Sequence, residues 1–114
     1  MKDRHGRRHE RVQLEGTLRL LVESDRGFLF GSGEIMDLSP AGCAIRVRNA
    51  AIEAGLSGRI DVAIAGVKLS LPIVTRWVRP DKNEWIVGCA FDDLSTENQR
   101  AVHELLSETT EIVI

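Results

Sequence analysis

Hydrophobic and polar residues alternate with a period of two along most of the chain, the spacing that sends every second side chain to one face of a strand. Val12, Leu14, Leu18, Leu20 and Val22 share a face, with Gln13, Glu15, Thr17 and Arg19 opposite. ESDRG then turns the chain, and Phe28 to Leu38 resumes it. Cys43, Ile45 and Val47 alternate with Ala44, Arg46 and Arg48. Ile60, Val62 and Ile64 form the next run, AGV a tight turn, and Val67, Leu69, Leu71 and Ile73 the returning strand. RPDKNE breaks the chain after Trp77 and Val78, and Trp85, Val87, Cys89 and Phe91 keep register in the last strand.

Some six strands with short turns between them predict a mainly all-β protein of meander or Greek-key type. An open sheet in so short a chain exposes two edges, so the expected form is a six-stranded antiparallel closed β-barrel. Gly16, Gly31, Gly33 and Gly88, inside strand patterns, suit the bends and bulges that closure needs. Pro72 argues against full pairing of its strand on both sides. One C-terminal α-helix follows in LSTENQRAVHELLSE, at about 95–107. Ser95 or Thr96 is its N-cap, with Thr96 and Gln99 able to form a capping box. Ala101, Val102, Leu105 and Leu106 make a stripe of helical period that plugs one barrel end. Thr109 to Ile114 reads as either a short strand or a frayed tail.

With 114 residues, 43% hydrophobic and 28% charged, the chain suits one globular domain, 12–114, preceded by a basic arm, 1–11. No uncharged stretch approaches the length of a membrane span, and charge from Lys2 onward does not fit a secretory signal. Cys43 and Cys89 lie in apolar runs and read as buried, reduced thiols, which places the protein in the cytoplasm. The net charge of −2 hides an asymmetry. Lys2, Arg4, Arg7, Arg8 and Arg11 against Asp3 and Glu10 give the arm +3, so the remainder carries −5. A basic arm on an acidic body implies a localised anionic target and argues against a nucleic-acid polymer.

Catalysis finds little support. Ser39 has no histidine held in fixed geometry beside it, because His5 and His9 lie in the arm; the chain has no tyrosine. His5 and His9 read as solvated residues, and no metal site is expected. GSGE lacks the lysine and helix of a phosphate loop. The arm carries clearer chemistry, since arginine pairs bidentately with phosphate and with the O6/N7 edge of guanine. In MDLSPAGCA, Asp37 is able to accept from the N1–H and N2–H₂ edge of guanine and Ser39 to add a hydrogen bond. Pro40, Ala41 and Gly42 make a tight turn, with Gly42 free to take a positive φ. Trp77 and Arg46 fall near the same barrel end. Trp77 reads first as a core aromatic and second as a stacking surface, and Arg46 as a further contact.

RRHER and DLSPAG, at this spacing and ahead of a six-strand pattern, together resemble the PilZ domain, the bacterial receptor module for cyclic di-GMP. The resemblance covers nearly the whole chain. It places the family's RxxxR at Arg7 and Arg11, with Arg8 as a basic neighbour, and its [D/N]xSxxG at Asp37, Ser39 and Gly42. VTRWVRPDKNEWIVGCAFDDLS is similar to the family's closing hairpin, with Gly88 and Phe91 in its last strand. The resemblance implies a six-stranded barrel with a C-terminal helix, cyclic di-GMP as ligand, no cofactor and no catalysis. Nothing in residues 1–11 can pack, so the arm is expected to be mobile until ligand orders it, and a single-domain receptor is expected to act through a downstream effector protein that is flagellar, secretory, polysaccharide-synthesising or regulatory. Gly6 stands where many members carry a basic or bulky residue, which bears on whether one ligand or a stacked pair binds. The alternatives are a PilZ-like interaction module that binds no nucleotide, and a small RNA- or DNA-binding barrel.

Overall fold

Alternation of this kind folds by burying one face of every strand, and the molecule does so in a ring. A computed structural model describes the backbone of residues 12–13 and 16–113 and the side chains of residues 16–107. The arm at 1–11, with Arg7, Arg8 and Arg11, lies outside the described residues. The elements are β1 (Val12–Gln13), β2 (Gly16–Ser24), β3 (Gly27–Ser39), β4 (Gly42–Arg48), β5 (Ser57–Ile64), β6 (Val67–Asp81), β7 (Glu84–Phe91) and α1 (Thr96–Val113). All pairings are antiparallel, in the order β3-β2-β5-β6-β7-β4, and β4 pairs back onto β3 to close the ring. Each of these six strands has two neighbours, so none is an edge along its whole length. The expected six-stranded architecture is therefore present, with the two-residue β1 added beside the far end of β3.

The inward set is the one the alternation marks. Leu18, Leu20, Val22, Ile35, Ile45, Val47, Ile60, Leu71, Ile73 and Val87 are all buried. Cys43 and Cys89 face each other between β4 and β7 as buried thiols that form no disulfide. From α1, Val102 and Leu105 join this core, and Asn98 Nδ2 donates to the Ser70 carbonyl (3.0 Å). The helix, Phe91 and Leu94 frame a groove of about 480 Å³ against the Pro40–Ala41 turn, so α1 sits beside the corner that carries Asp37 and Ser39.

Several expectations need correction. The first predicted strand is two elements: β2 follows β3 from Ser24 back to Thr17, and β1 continues the line opposite Asp37 and Leu38. The RPDKNE break comes later than expected, because β6 runs on to Asp81 and the turn is Lys82–Asn83, with Lys82 at φ 59°. Pro72 is as expected not paired on both sides: it pairs with Arg59 on β5 alone, and its carbonyl accepts from Asp92 N–H (2.9 Å) beyond the end of β7. Ser95 is the N-cap, its hydroxyl accepting from Asn98 N–H (3.1 Å), while Gln99 reaches the Leu94 carbonyl (3.1 Å) and forms no box with Thr96. The helix continues to Val113, taking in residues read as strand or tail. The strand glycines are not the bulged residues. They are places where a neighbour lies too close for a side chain: a Cβ at Gly33 would stand 1.7 Å from the Arg46 carbonyl oxygen, and one at Gly31 2.8 Å from the Val47 side chain.

Candidate functional site

Two single-residue bulges decide which side chains reach the outside of the ring. In β3, Ile35 pairs with Ile45 but Asp37 pairs with Ala44, so Met36 is the inserted residue. Ile35 faces the core, and strict alternation would send Asp37 there as well. The insertion turns Asp37 outward and returns Leu38 to the interior, where it is 1% exposed. In β6, Thr75 pairs with Cys89 and Trp77 with Gly88, so Arg76 is inserted. Thr75 stays buried, its hydroxyl donating to the Glu53 carbonyl (2.7 Å) and accepting from Leu56 N–H (2.8 Å). Trp77 is thereby turned outward and is 40% exposed, which corrects its first reading as a core aromatic.

Both bulges act on a single cross-strand row. Asp37 is opposite Ala44, Ala44 opposite Gly88, and Gly88 opposite Trp77. Directly opposed residues share a face, so a carboxylate and an indole end a row whose middle is two small residues. Three inter-strand steps make the row about 14 Å long. The indole lies across Gly88: a Cβ there would stand 2.1 Å from its Cε2 and Nε1. Arg79, two residues on and on the same face, holds its guanidinium 5.6 Å from the ring centroid, within cation–π range.

At the other end of the row the β3–β4 corner is tied by its own side chains. Asp37 Oδ1 accepts the Ala44 N–H (3.1 Å), and the buried Ser39 hydroxyl donates to the Gly42 carbonyl (3.2 Å) across Pro40 and Ala41. Gly42 does not take a positive φ, contrary to expectation. It is glycine for want of space, since a Cβ would stand 2.0 Å from the Cys89 carbonyl oxygen on β7. The structure thus brings Asp37, Ser39 and Gly42 together at one hairpin end. Arg7, Arg8 and Arg11 lie outside the described residues.

The neighbouring row carries Glu34, Arg46, Ile86 and Arg79. Arg46 Nη1 bonds Asp81 Oδ2 (2.7 Å) and Glu84 Oε1 (3.3 Å), and Arg48 bonds Glu84 Oε2 (3.2 Å) and Glu34. The hydrogen bond from Arg48 holds the Glu34 carboxyl below its usual range, and that from Arg46 does the same for Asp81; both guanidinium values rise in return. Arg46, read as a further ligand contact, therefore already has two carboxylate partners. Arg79 forms no ion pair among the described residues. The sequence reading missed it, although its two-residue spacing from Trp77 was the available signal.

A family model described as PilZ domain matches residues 5–108. Among solved structures, the PilZ domain with c-di-GMP of YcgR from Escherichia coli superposes with a TM-score of 0.75 at 13% identity, covering 94% of this chain and 93% of that one. The K. pneumonia MrkH–c-di-GMP complex gives 0.68 at 15% identity, covering 94% of this chain and 53% of that one. The PilZ domain of CeSA from a cellulose-synthesising bacterium gives 0.61 at 18% identity, covering 92% and 99%. At these identities the likeness is one of fold. Among curated proteins no sequence matches this chain.

Proposed function

The chain belongs to the PilZ domain family, and from that premise we propose that it is a receptor for cyclic di-GMP, held between the N-terminal arm and the Asp37–Trp77 face. The register of β1 carries this reading. Val12 pairs with Leu38, between Asp37 and Ser39. Arg11 is bonded to Val12, so its Cα lies within ~3.8 Å of a residue already on the corner, and four residues of chain bring Arg7 no more than ~14 Å further. The tether is short enough for one dinucleotide to meet both motifs.

Cyclic di-GMP presents two guanines and two phosphates, and the residues divide between them. Arg7, Arg8 and Arg11 supply forks for phosphate and for guanine O6/N7. Asp37 accepts from the guanine N1–H and N2–H₂ edge; a carboxylate has about four lone-pair sites, so holding Ala44 N–H leaves capacity. Ser39 and Gly42 hold the corner in the shape that presents Asp37. Trp77 offers a face to a purine, with Arg79 beside it. Closure of the arm creates a new surface, and a flagellar, secretory, polysaccharide-synthesising or regulatory protein reads it.

Calorimetric titration of the chain with cyclic di-GMP is expected to give saturable heat, and its stoichiometry decides between one ligand and a stacked pair beside Gly6. Binding should also change tryptophan emission, with most of the change lost in Trp77→Phe while Trp85 remains. No heat at large excess would leave the alternative, an interaction module that binds no nucleotide. An emission change intact in Trp77→Phe would remove the indole from the site.

Asp37 has two separable duties. Asp37→Asn keeps an acceptor for Ala44 N–H and removes the charge, so affinity should fall about tenfold with little change in melting temperature. Asp37→Ala loses the acceptor too and should also cost ~1 kcal/mol of stability. Equal melting of the two variants would show that the Ala44 bond does not hold the corner.

A further inference from the structure

Among the described residues the most exposed large apolar ones lie away from this site. Phe28 and Phe30 are 61% and 69% exposed, although the chain has only three phenylalanines. They stand on the outer face of the β2–β3 hairpin, opposite Glu23 and Leu21. Exposed aromatic pairs of this kind mark contact surfaces. Their neighbours indicate what they contact. Along β2, Arg19, Leu21 and Glu23 point outward in turn: a cation, an apolar residue and an acid at equal spacing. Ser32, Phe30 and Phe28 stand opposite them on β3. Among the described residues neither Arg19 nor Glu23 forms an ion pair, whereas Arg59 and Asp61 on the adjacent β5 pair with each other at 3.3 Å.

We infer that this face binds a second copy of the chain, as a twofold dimer centred on Leu21 and Phe30. The charge order along β2 is self-complementary, and Arg59, which continues the Leu21–Phe30 row on β5, meets its own copy with its charge already held by Asp61. A twofold axis lying in the interface along the Leu21–Phe30 row sets the two β2 strands antiparallel, face to face. Arg19 of one copy then meets Glu23 of the other, twice; Phe30 packs on Phe30, and Phe28 lies over Ser32. An axis along β2 would instead set Glu23 on Glu23 and Arg19 on Arg19. Strand addition would use the edge of β3 at Gly27–Gly31, which pairs with β2 alone; it leaves Arg19 out of the contact, so the charge reversals separate the two modes. The face is three strands wide, at the small end of specific interfaces, so the dimer is weak and exchanging.

Sedimentation velocity tests this on the whole chain without nucleotide, from about 5 to about 500 µM, the range suited to a small interface. The weight-average mass should climb toward twice the monomer. Phe30→Asp should hold it at the monomer throughout. Arg19→Glu and Glu23→Arg should each weaken association about tenfold, and the double reversal should restore it. All three positions are exposed, so circular dichroism should show unaltered folding. A wild-type chain that stays monomeric at the top concentration overturns the inference. So does association that survives Phe30→Asp, or charge reversals that fail to rescue each other. Since no ligand is present, these outcomes are independent of cyclic di-GMP binding.

Discussion

Arg7→Ala and Arg11→Ala are each expected to lower cyclic di-GMP affinity about 10- to 100-fold, the worth of one or two charge-assisted hydrogen bonds, and to leave the ring folded. The asymmetry follows from what each part of the chain does. Among the described residues the core is made of inward residues of β2 to β7 with Ile52, Val102 and Leu105, all of them apolar, and a charged guanidinium has no place in such a core. Unfolding midpoints in urea should therefore match wild type. Salt offers a second check: each arginine that meets a phosphate adds to the loss of affinity as ionic strength rises, so the variants should show a shallower salt dependence. Arg8→Ala should cost less, because Arg8 is the neighbour of the paired arginines. Near wild-type affinity in both Arg7→Ala and Arg11→Ala would discard the arm as a ligand clasp, even if the domain still binds.

The strands were legible because one buried face per strand imposes a period of two, and that pattern survives in the sequence wherever pairing is regular. It fails where the ladder takes in an extra residue. Ile73, Thr75 and Trp77 have the same parity, so alternation sends Trp77 to the core; the bulge at Arg76 reverses it. At Met36 the same event is hidden, because Ile35 and Leu38 are both apolar and both inward. The partners of Arg46 were out of reach for another reason. Asp81 and Glu84 lie 35 and 38 residues away, and only the path of β6 and β7 brings them to its face. The candidate site was thus legible as a corner, from Asp37, Ser39 and Gly42, but its far wall of Trp77 and Arg79 required the register.

Gly42→Ala is expected to destabilise the domain by roughly 1–3 kcal/mol, the usual cost of overpacking, and to weaken ligand binding with it. In sequence this glycine looks like a turn residue chosen for a positive φ, yet the turn is made by Pro40 and Ala41, and Gly42 is in extended pairing with Ala90. The added methyl would stand 2.0 Å from the Cys89 carbonyl oxygen and 3.1 Å from the Ala90 Cα. These are backbone atoms, so no side-chain rotation relieves the contact, and β4 must move away from β7. That shift disturbs the Ser39–Gly42 bond and the Ala44 N–H that Asp37 holds, which is why stability and affinity fall together. Gly66→Ala is the control for conformation alone: Gly66 has φ +82° and open space around its Cβ position, so strain without collision should cost only about 1 kcal/mol. Urea unfolding of both variants, with calorimetric titration of Gly42→Ala, separates the explanations. If Gly42→Ala is as stable as wild type but does not bind, the glycine serves the ligand's approach, and its contact with β7 does not explain why it is there.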